Sequence, residues 1–199
     1  VINRAVTARA WLVGYYIVEY EQHGQDRAKY GDELLKKLSR RLDDKSFRLT
    51  NLKNFRLFYL VYPELARPVF QYITTLLTKG QTASDLLQIE DNKYLEKSQT
   101  LSGFSATEQG VSFSRDGFAM KTLDGLVRPV PQMLFDRLSF SNITLLLHID
   151  EAVRRSFYAI EAMRGPWSYR ELKRQIDSNY FERSGWSKKP ELLAEVVND

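Results

Sequence analysis

The sequence contains no cysteine and only two histidines, His23 and His148. Disulfide staples and thiolate metal sites are therefore excluded, and the usual zinc clusters cannot be assembled. Long apolar runs are also missing. The longest near the start, Ala10 to Val18, is about half a membrane span and is flanked by Arg4, Arg9, Glu19 and Glu21. No signal peptide or anchor is visible, so a cytoplasmic protein with no membrane partner is expected. There is no phosphate-cradling glycine loop and no Gly-x-Ser-x-Gly elbow, so no cofactor, metal or small-molecule ligand is expected. The chain opens on Val and its last stretch, Glu191 to Asp199, stops in mid-pattern, as expected of a piece of a longer protein.

What is present is a globular composition. The 199 residues are 43% hydrophobic and 27% charged, and rich in Tyr (11) and Phe (11), enough for one full domain or two small ones. The net charge of +4 permits nucleic-acid binding without demanding it, so the distribution of charge decides.

Periodicity predicts a mainly α fold. Residues 2 to 22 form a helix apolar on nearly every face, with Val6, Ala10, Val13, Ile17 and Tyr20 on one stripe and Trp11, Tyr15 and Val18 on another. His23-Gly24 ends it. A second helix follows from about Arg27 to Leu42, with Tyr30, Leu34, Leu35, Leu38 and Leu42 inward. After a short polar break, a third starts near Thr50, the expected N-cap, and runs to Tyr62, where Pro63 stops it. These two helices and their turn have the outline of a helix-turn-helix.

A further apolar helix is expected over roughly Pro68 to Leu77. Gly103, Gly110, Gly117 and Gly125 then punctuate a segment in which Val111 to Ser114 and Phe118 to Thr122 read as a hairpin about an Asp-Gly turn. Helices resume from Ser141 to Ile149 and from Glu151 to Met163. A last one begins at Ser168, in a capping box with Glu171, and continues through Phe181. The expected organisation is a helical unit over 1–63, a connecting helix and glycine-rich hairpin insertion over 64–137, a second helical unit over 138–186 and a linker over 187–199. Thr50-Asn51-Leu52 before Phe58-Tyr59 is echoed by Ser141-Asn142-Ile143 before Phe157-Tyr158, so two related units are one reading.

The densest charge cluster is Lys36, Lys37, Arg40, Arg41, Lys45, Arg48, Lys53 and Arg56, opposed in that window only by Asp43 and Asp44. It suits a phosphate backbone or, equally, an ordinary solvated helix face. A second cluster, Arg154, Arg155, Arg164, Arg170, Lys173, Arg174, Arg183, Lys188 and Lys189, is diluted by acids and reads as a solvated face. Asp43-Asp44-Lys45, Asp91-Asn92-Lys93 and Glu171-Leu172-Lys173 match the acid-x-Lys half of a nuclease motif. None lies on a strand preceded by another acidic strand, so all three read as accidental. His148 reads as a helix-terminal hydrogen bonder. Phe58, Tyr59, Phe157 and Tyr158 read as core.

Several motifs together resemble a known family. Trp11-x-Val13-Gly14-x-x-Ile17, Arg27-Ala28-x-Tyr30-Gly31, Leu38-Ser39-x-x-Leu42, Asn51-Leu52 and Arg56-x-Phe58-Tyr59 are similar to the N-terminal domain of YhcG-like bacterial proteins. Leu138-Ser139-Phe140-Ser141, Arg155-x-Phe157-Tyr158 and Trp167-Ser168-x-Arg170-Glu171-Leu172 continue the likeness, which leaves out residues 64 to 137. The resemblance implies a helical domain with helix-turn-helix character, preceding a PD-(D/E)XK nuclease domain that would begin beyond residue 199, and a restriction-modification or defence setting. It carries no catalytic residues onto this chain.

The expected function is therefore a DNA-binding and assembly domain that is not itself an enzyme. Asn51, Lys53 and Asn54 would lie nearest bases, Lys45, Arg48 and Arg56 nearest phosphates, and Lys36, Lys37, Arg40 and Arg41 would extend the phosphate track. The alternative is a homodimerisation module, built on the apolar first helix and the hairpin, with no DNA contact.

Overall fold

The computed structural model describes residues 4–23, 29–80, 112–121 and 127–185. The Asp91-Asn92-Lys93 triplet, Gly103, Gly110 and Gly125 of the glycine-rich segment, the cations Lys188 and Lys189, and the 187–199 linker lie outside them. The architecture is mainly α with a small antiparallel sheet, as the periodicity predicts. Helices α1 (Arg4–His23), α2 (Lys29–Leu42), α3 (Leu49–Val61) and α4 (Ala66–Gly80) form the first half, with 3-10 turns at Lys45–Phe47 and Pro63–Leu65. Strands β1 (Ser112–Phe113), β2 (Ala119–Lys121) and β3 (Val127–Pro129) follow. Helices α5 (Pro131–Arg137), α6 (Phe140–Leu147), α7 (Ala152–Arg164), α8 (Tyr169–Asp177) and α9 (Tyr180–Arg183) complete the described chain.

The closest helix pair is α1 on α3. Gly14 makes it possible, because a Cβ there would stand 1.9 Å from the Phe55 carbonyl oxygen. Around that crossing the Trp11 ring stacks on Tyr15 and meets Tyr59 edge-on at 5.1 Å and Phe70 at 6.1 Å. Its Nε1 donates to the Tyr62 carbonyl at 2.9 Å, so the indole's one donor is satisfied inside the core. Trp11 and Val18 are buried and Tyr15 packs against the core within one chain. Trp11 and Tyr15 of the stripe that the sequence offers as a dimer surface thus have ring partners in α3 and α4, and Val18 is buried with them inside one chain.

Helix α6 packs on α3 through Phe140, whose ring lies 5.4 Å from Phe55 and 5.7 Å from Phe58. One buried cluster runs from Ala8 through Phe58, Leu134 and Leu146 to Phe181. Tyr158 on α7 ties in the last two helices: its hydroxyl donates to the Gln175 carbonyl and accepts from the Phe181 amide, both at 3.2 Å.

Several boundaries differ from expectation for local reasons. Arg48, not Thr50, is the residue before α3, and it makes no side-chain cap. Ser139 caps α6 by accepting from the Asn142 amide, which starts that helix before Ser141. Ser168 accepts from the Glu171 amide as predicted, but the Glu171 carboxylate turns to Arg174 and Gln175 instead of completing the box. The helix expected to continue to Phe181 breaks at Asn179, which takes a left-handed conformation (φ 51°) that Asn tolerates.

The hairpin forms about Gly117 (φ 72°) and gains a third strand, so the order is β1-β2-β3. Met120 pairs with Phe113 on one side and with Arg128 on the other. The β3 strand was missed because three residues ending in proline show too little alternation to register.

Candidate nucleic-acid interface

Helix α2 shows a single-sided pattern: Leu35 is buried, whereas Lys36, Lys37, Arg40 and Arg41 are exposed along its other face. It ends at Asp43, whose backbone turns left-handed (φ 42°). Asp44 then caps the 3-10 turn, its Oδ1 accepting from the Ser46 amide at 2.6 Å. That bond, reinforced by the Ser46 hydroxyl and the positive field of Arg9, holds the Asp44 carboxyl below the usual aspartate range. Asp44, the middle residue of Asp43-Asp44-Lys45, is therefore a turn-former, while Asp43, the acid of that acid-x-Lys spacing, is exposed and joins no group of acids that could hold a metal among the described residues.

Asn51 faces this turn. Its Nδ2 donates to the Ser46 carbonyl at 3.1 Å and, more weakly, to that of Lys45 at 3.5 Å. Asn142, at the same third position of its own helix, donates to the Trp167 carbonyl at 3.0 Å. The echoed asparagines thus share a job, tying a helix start to a neighbouring carbonyl. Lys53 is exposed, and Asn54 and Arg56 are half-buried. Beyond Asn54 the outer face of α3 turns apolar, with Leu57 half-buried and Leu60 46% exposed.

The packing of α2 and the turn on α3 brings Lys36, Lys37, Arg40, Arg41, Lys45 and Arg48 to one region. All six are exposed, and none forms a side-chain ion pair among the described residues. Arg9 of α1 joins them, its guanidinium lying 5.8 Å above the Phe47 ring. No sequence signal marks it, since about forty residues separate it from the turn.

The second cationic cluster is different. Arg164 pairs with Asp116 at 2.5 Å and Glu161 at 3.1 Å, Lys173 with Asp177 at 2.6 Å, and Arg174 with Glu171 at 2.7 Å. Arg154 reaches Glu182 at 3.4 Å and the Asn179 side chain at 3.0 Å. Arg183 donates to Ser178, and Arg155 to the Ile149 carbonyl. These cations neutralise local acids and brace turns, which is the solvated-face reading. Glu171 of the third acid-x-Lys triplet is spent in the same way. No group of His, Asp or Glu that could hold a metal occurs among the described residues, nor does any helix among them long and apolar enough to cross a membrane. His148 closes α6, with Nδ1 2.7 Å from the Thr144 carbonyl.

Comparison with known proteins follows the same architecture. The chain matches the DUF1016 N-terminal domain family over residues 1–107 and 98–183. It belongs to that family. It is also 30% identical over 191 residues to the Escherichia coli (strain K12) protein named "Putative nuclease YhcG", an alignment covering 92% of this chain and 40% of that one. The chain therefore spans less than half the length of this relative. No solved structure matches it. The family match runs through residues 64 to 137, which the recognisable motifs leave out, so the sheet belongs to the DUF1016 N-terminal domain rather than lying outside the likeness. Its hairpin is legible as strands, but β1 and β2 are short and carry no side-chain pattern as distinctive as Trp167-Ser168 by which a family likeness could be recognised.

Proposed function

We propose that this DUF1016 N-terminal domain binds duplex DNA through α2, the Asp43–Arg48 turn and the first turns of α3, acting as a helix-turn-helix. The observation that carries this reading is the group of six exposed cations without ion pairs among the described residues, beside a second cluster in which six of the seven described cations are engaged. Lys36, Lys37, Arg40 and Arg41 would follow phosphates along one strand, with Lys45, Arg48 and Arg56 at the turn and Arg9 behind it. Lys53 and Asn54 face outward at the position nearest base edges. Asn51 acts at one remove, by holding the turn.

Cleavage is assigned to a PD-(D/E)XK domain following this one in the longer protein, which operates in the cytoplasm in a restriction-modification or defence setting. The name of the Escherichia coli relative and its greater length support that assignment. A second reading, self-association, is favoured by exposed apolar side chains: Tyr16 on α1, Leu60 on α3 and Phe113 on β1. This replaces Trp11, Tyr15 and Val18 as the surface on which a homodimer would form.

The deciding experiment is a salt titration on two unrelated duplexes. Six phosphate contacts give a slope of log K against log salt near −5, at about 0.9 per contact. The K36A/K37A/R40A/R41A variant is expected to lower that slope by roughly 3 to 4, equally on both duplexes. Parent-like binding by the variant overturns the DNA reading. Plasmid with magnesium should remain intact, and nicking that vanishes in Asp43→Ala, Asp91→Ala or Glu171→Ala would overturn the assignment of cleavage elsewhere.

A further inference from the structure

The outward face of α3 is unlike that of α2. On its inner side Leu52, Phe55 and Phe58 are buried. On the opposite side Thr50, Lys53, Leu57 and Leu60 recur at three- and four-residue spacing, so they form one row along the helix, roughly 15 Å long at 1.5 Å per residue. Thr50 and Lys53 are exposed, Leu57 is half-buried with one flank packed on the core, and Leu60 is 46% exposed. A surface helix ordinarily turns a polar face outward, as α2 does with Lys36, Lys37, Arg40 and Arg41. The row on α3 starts polar beside the basic turn and becomes apolar along its length.

Its surroundings constrain what covers it. The row begins among the exposed cations of α2 and the turn, so the partner that suits its first half is a polyanion. A straight partner lying on that half continues over Leu57 and Leu60 and must offer them something apolar. The floor of the DNA major groove carries one such group, the 5-methyl of thymine, among edges that are otherwise donors and acceptors. A leucine pressed on a guanine, adenine or cytosine edge strips those groups of water and gives them no partner, which is costly. On a thymine methyl it buries apolar surface on both sides. Lys53, one helical turn before Leu57 on the same row, sharpens the choice. Thymine sets an O4 acceptor beside its methyl for the lysine to meet, whereas a methylated cytosine sets an N4 donor there.

We propose that α3 reads thymine in the major groove, with Leu57 and Leu60 in contact with 5-methyl groups and Lys53 donating beside them. Leu60 lies about 10 Å along the helix from Lys53, or about three base pairs, so the methyl contacts extend the site away from the basic turn. The inference rests on the DNA-binding reading and names the base that this reading leaves open.

The test uses a duplex enriched by the chain from a random-sequence pool. It is resynthesised once with uracil for every thymine, which keeps every base pair and removes only the methyls, and once with uracil for thymine and 5-methylcytosine for cytosine. Binding of all three is titrated against salt. Uracil is expected to weaken binding at least about fourfold, the worth of one buried methyl, with the salt slope unchanged. The third duplex should bind no better than the second. Leu60→Ala, a change at an exposed position that should leave the melting temperature unaltered, is expected to bring the thymine and uracil duplexes to within about twofold of each other at the parent's salt slope. Salt-dependent binding with equal affinity for thymine and uracil would overturn this proposal and leave the DNA reading standing, whereas no binding to any duplex would overturn both. Recovery of tight binding in the 5-methylcytosine duplex would overturn the choice of thymine. Parent-like discrimination in Leu60→Ala would also overturn the proposal, and a dimer that dissociates in that variant would then assign Leu60 to contact with a second copy of the chain.

Discussion

Replacing Gly14 with alanine sets two effects of opposite sign against each other. In an isolated helix the change is favourable by about 1 kcal/mol, because alanine loses less backbone entropy than glycine. Here the new Cβ would lie 1.9 Å from the Phe55 carbonyl oxygen, 2.7 Å from its carbon and 3.1 Å from the Tyr59 Cβ. The first two obstacles are backbone and cannot rotate away. Ordinary contact begins near 3.4 Å, so α1 and α3 must part by roughly 1.5 Å. That displacement stretches the 2.9 Å bond from Trp11 Nε1 to the Tyr62 carbonyl beyond useful length and loosens the Trp11–Tyr59 contact. Overpacking against backbone costs about 3 kcal/mol and the buried hydrogen bond about 1 more, so the net loss is about 3 kcal/mol after helix propensity is credited. For a chain of this length that corresponds to a fall of roughly 6 to 12 °C in melting temperature. Urea unfolding of Gly14→Ala and the parent, followed by circular dichroism, measures the difference. An alanine variant as stable as the parent would show that the α1–α3 crossing is not as close as described.

The two asparagines of α3 should separate in the same assay. Asn51→Ala loses the bonds to the turn and is expected to cost about 1 kcal/mol, whereas Asn54→Ala should stay within about 0.5 kcal/mol. Equal effects would remove Asn51 from its place as the turn's clamp. Asp116→Asn tests the tie between the hairpin and α7. Burial works against the Asp116 charge, yet Arg164, Ser114 and the Phe118 amide hold its carboxyl below the ordinary value. A lowered folded value means that the carboxylate stabilises the fold above the ordinary aspartate range, and that this contribution is lost as pH falls through the folded value. The parent should therefore exceed Asp116→Asn by about 1 kcal/mol at neutral pH, a screened figure for a partly exposed pair, and the gap should close as pH falls below the ordinary aspartate range. A gap independent of pH between 7 and 2.5 would refute it.

The helices were legible because their apolar spacing is strong and their ends carry chemical marks. Leu52, Phe55 and Phe58 recur on one face of α3, Pro63 follows its end, and Ser168 stands where an N-cap should. The turn between α2 and α3 was legible as a break but not in its detail. Whether Thr50 or Arg48 precedes the helix depends on where the 3-10 turn places the chain, and Asp44 and Asn51 decide that through bonds invisible to periodicity. The basic face of α2 was readable residue by residue, since amphipathic spacing assigns Lys36, Lys37, Arg40 and Arg41 to the side away from Leu35. The fate of the second cluster was not, because its acids come from Asp116 and Glu182 as well as from neighbours one turn away.

The order of amino acids by itself determined where most helices run, which of their faces are apolar, and which cations point away from the core, because these follow from spacing within a single element. Tertiary structure decided what each face meets. The Trp11 stripe, surplus to α1 alone, is absorbed by Tyr59 and Phe70 from two later helices. Gly14 acquires its meaning only from the Phe55 carbonyl, and Arg9 joins the basic turn only through Phe47. Glu64, Arg128 and Arg155 share no pattern along the chain, yet they line one cavity. Local spacing fixes direction relative to a helix axis, whereas a site is fixed by the distance between elements, and only packing sets that distance.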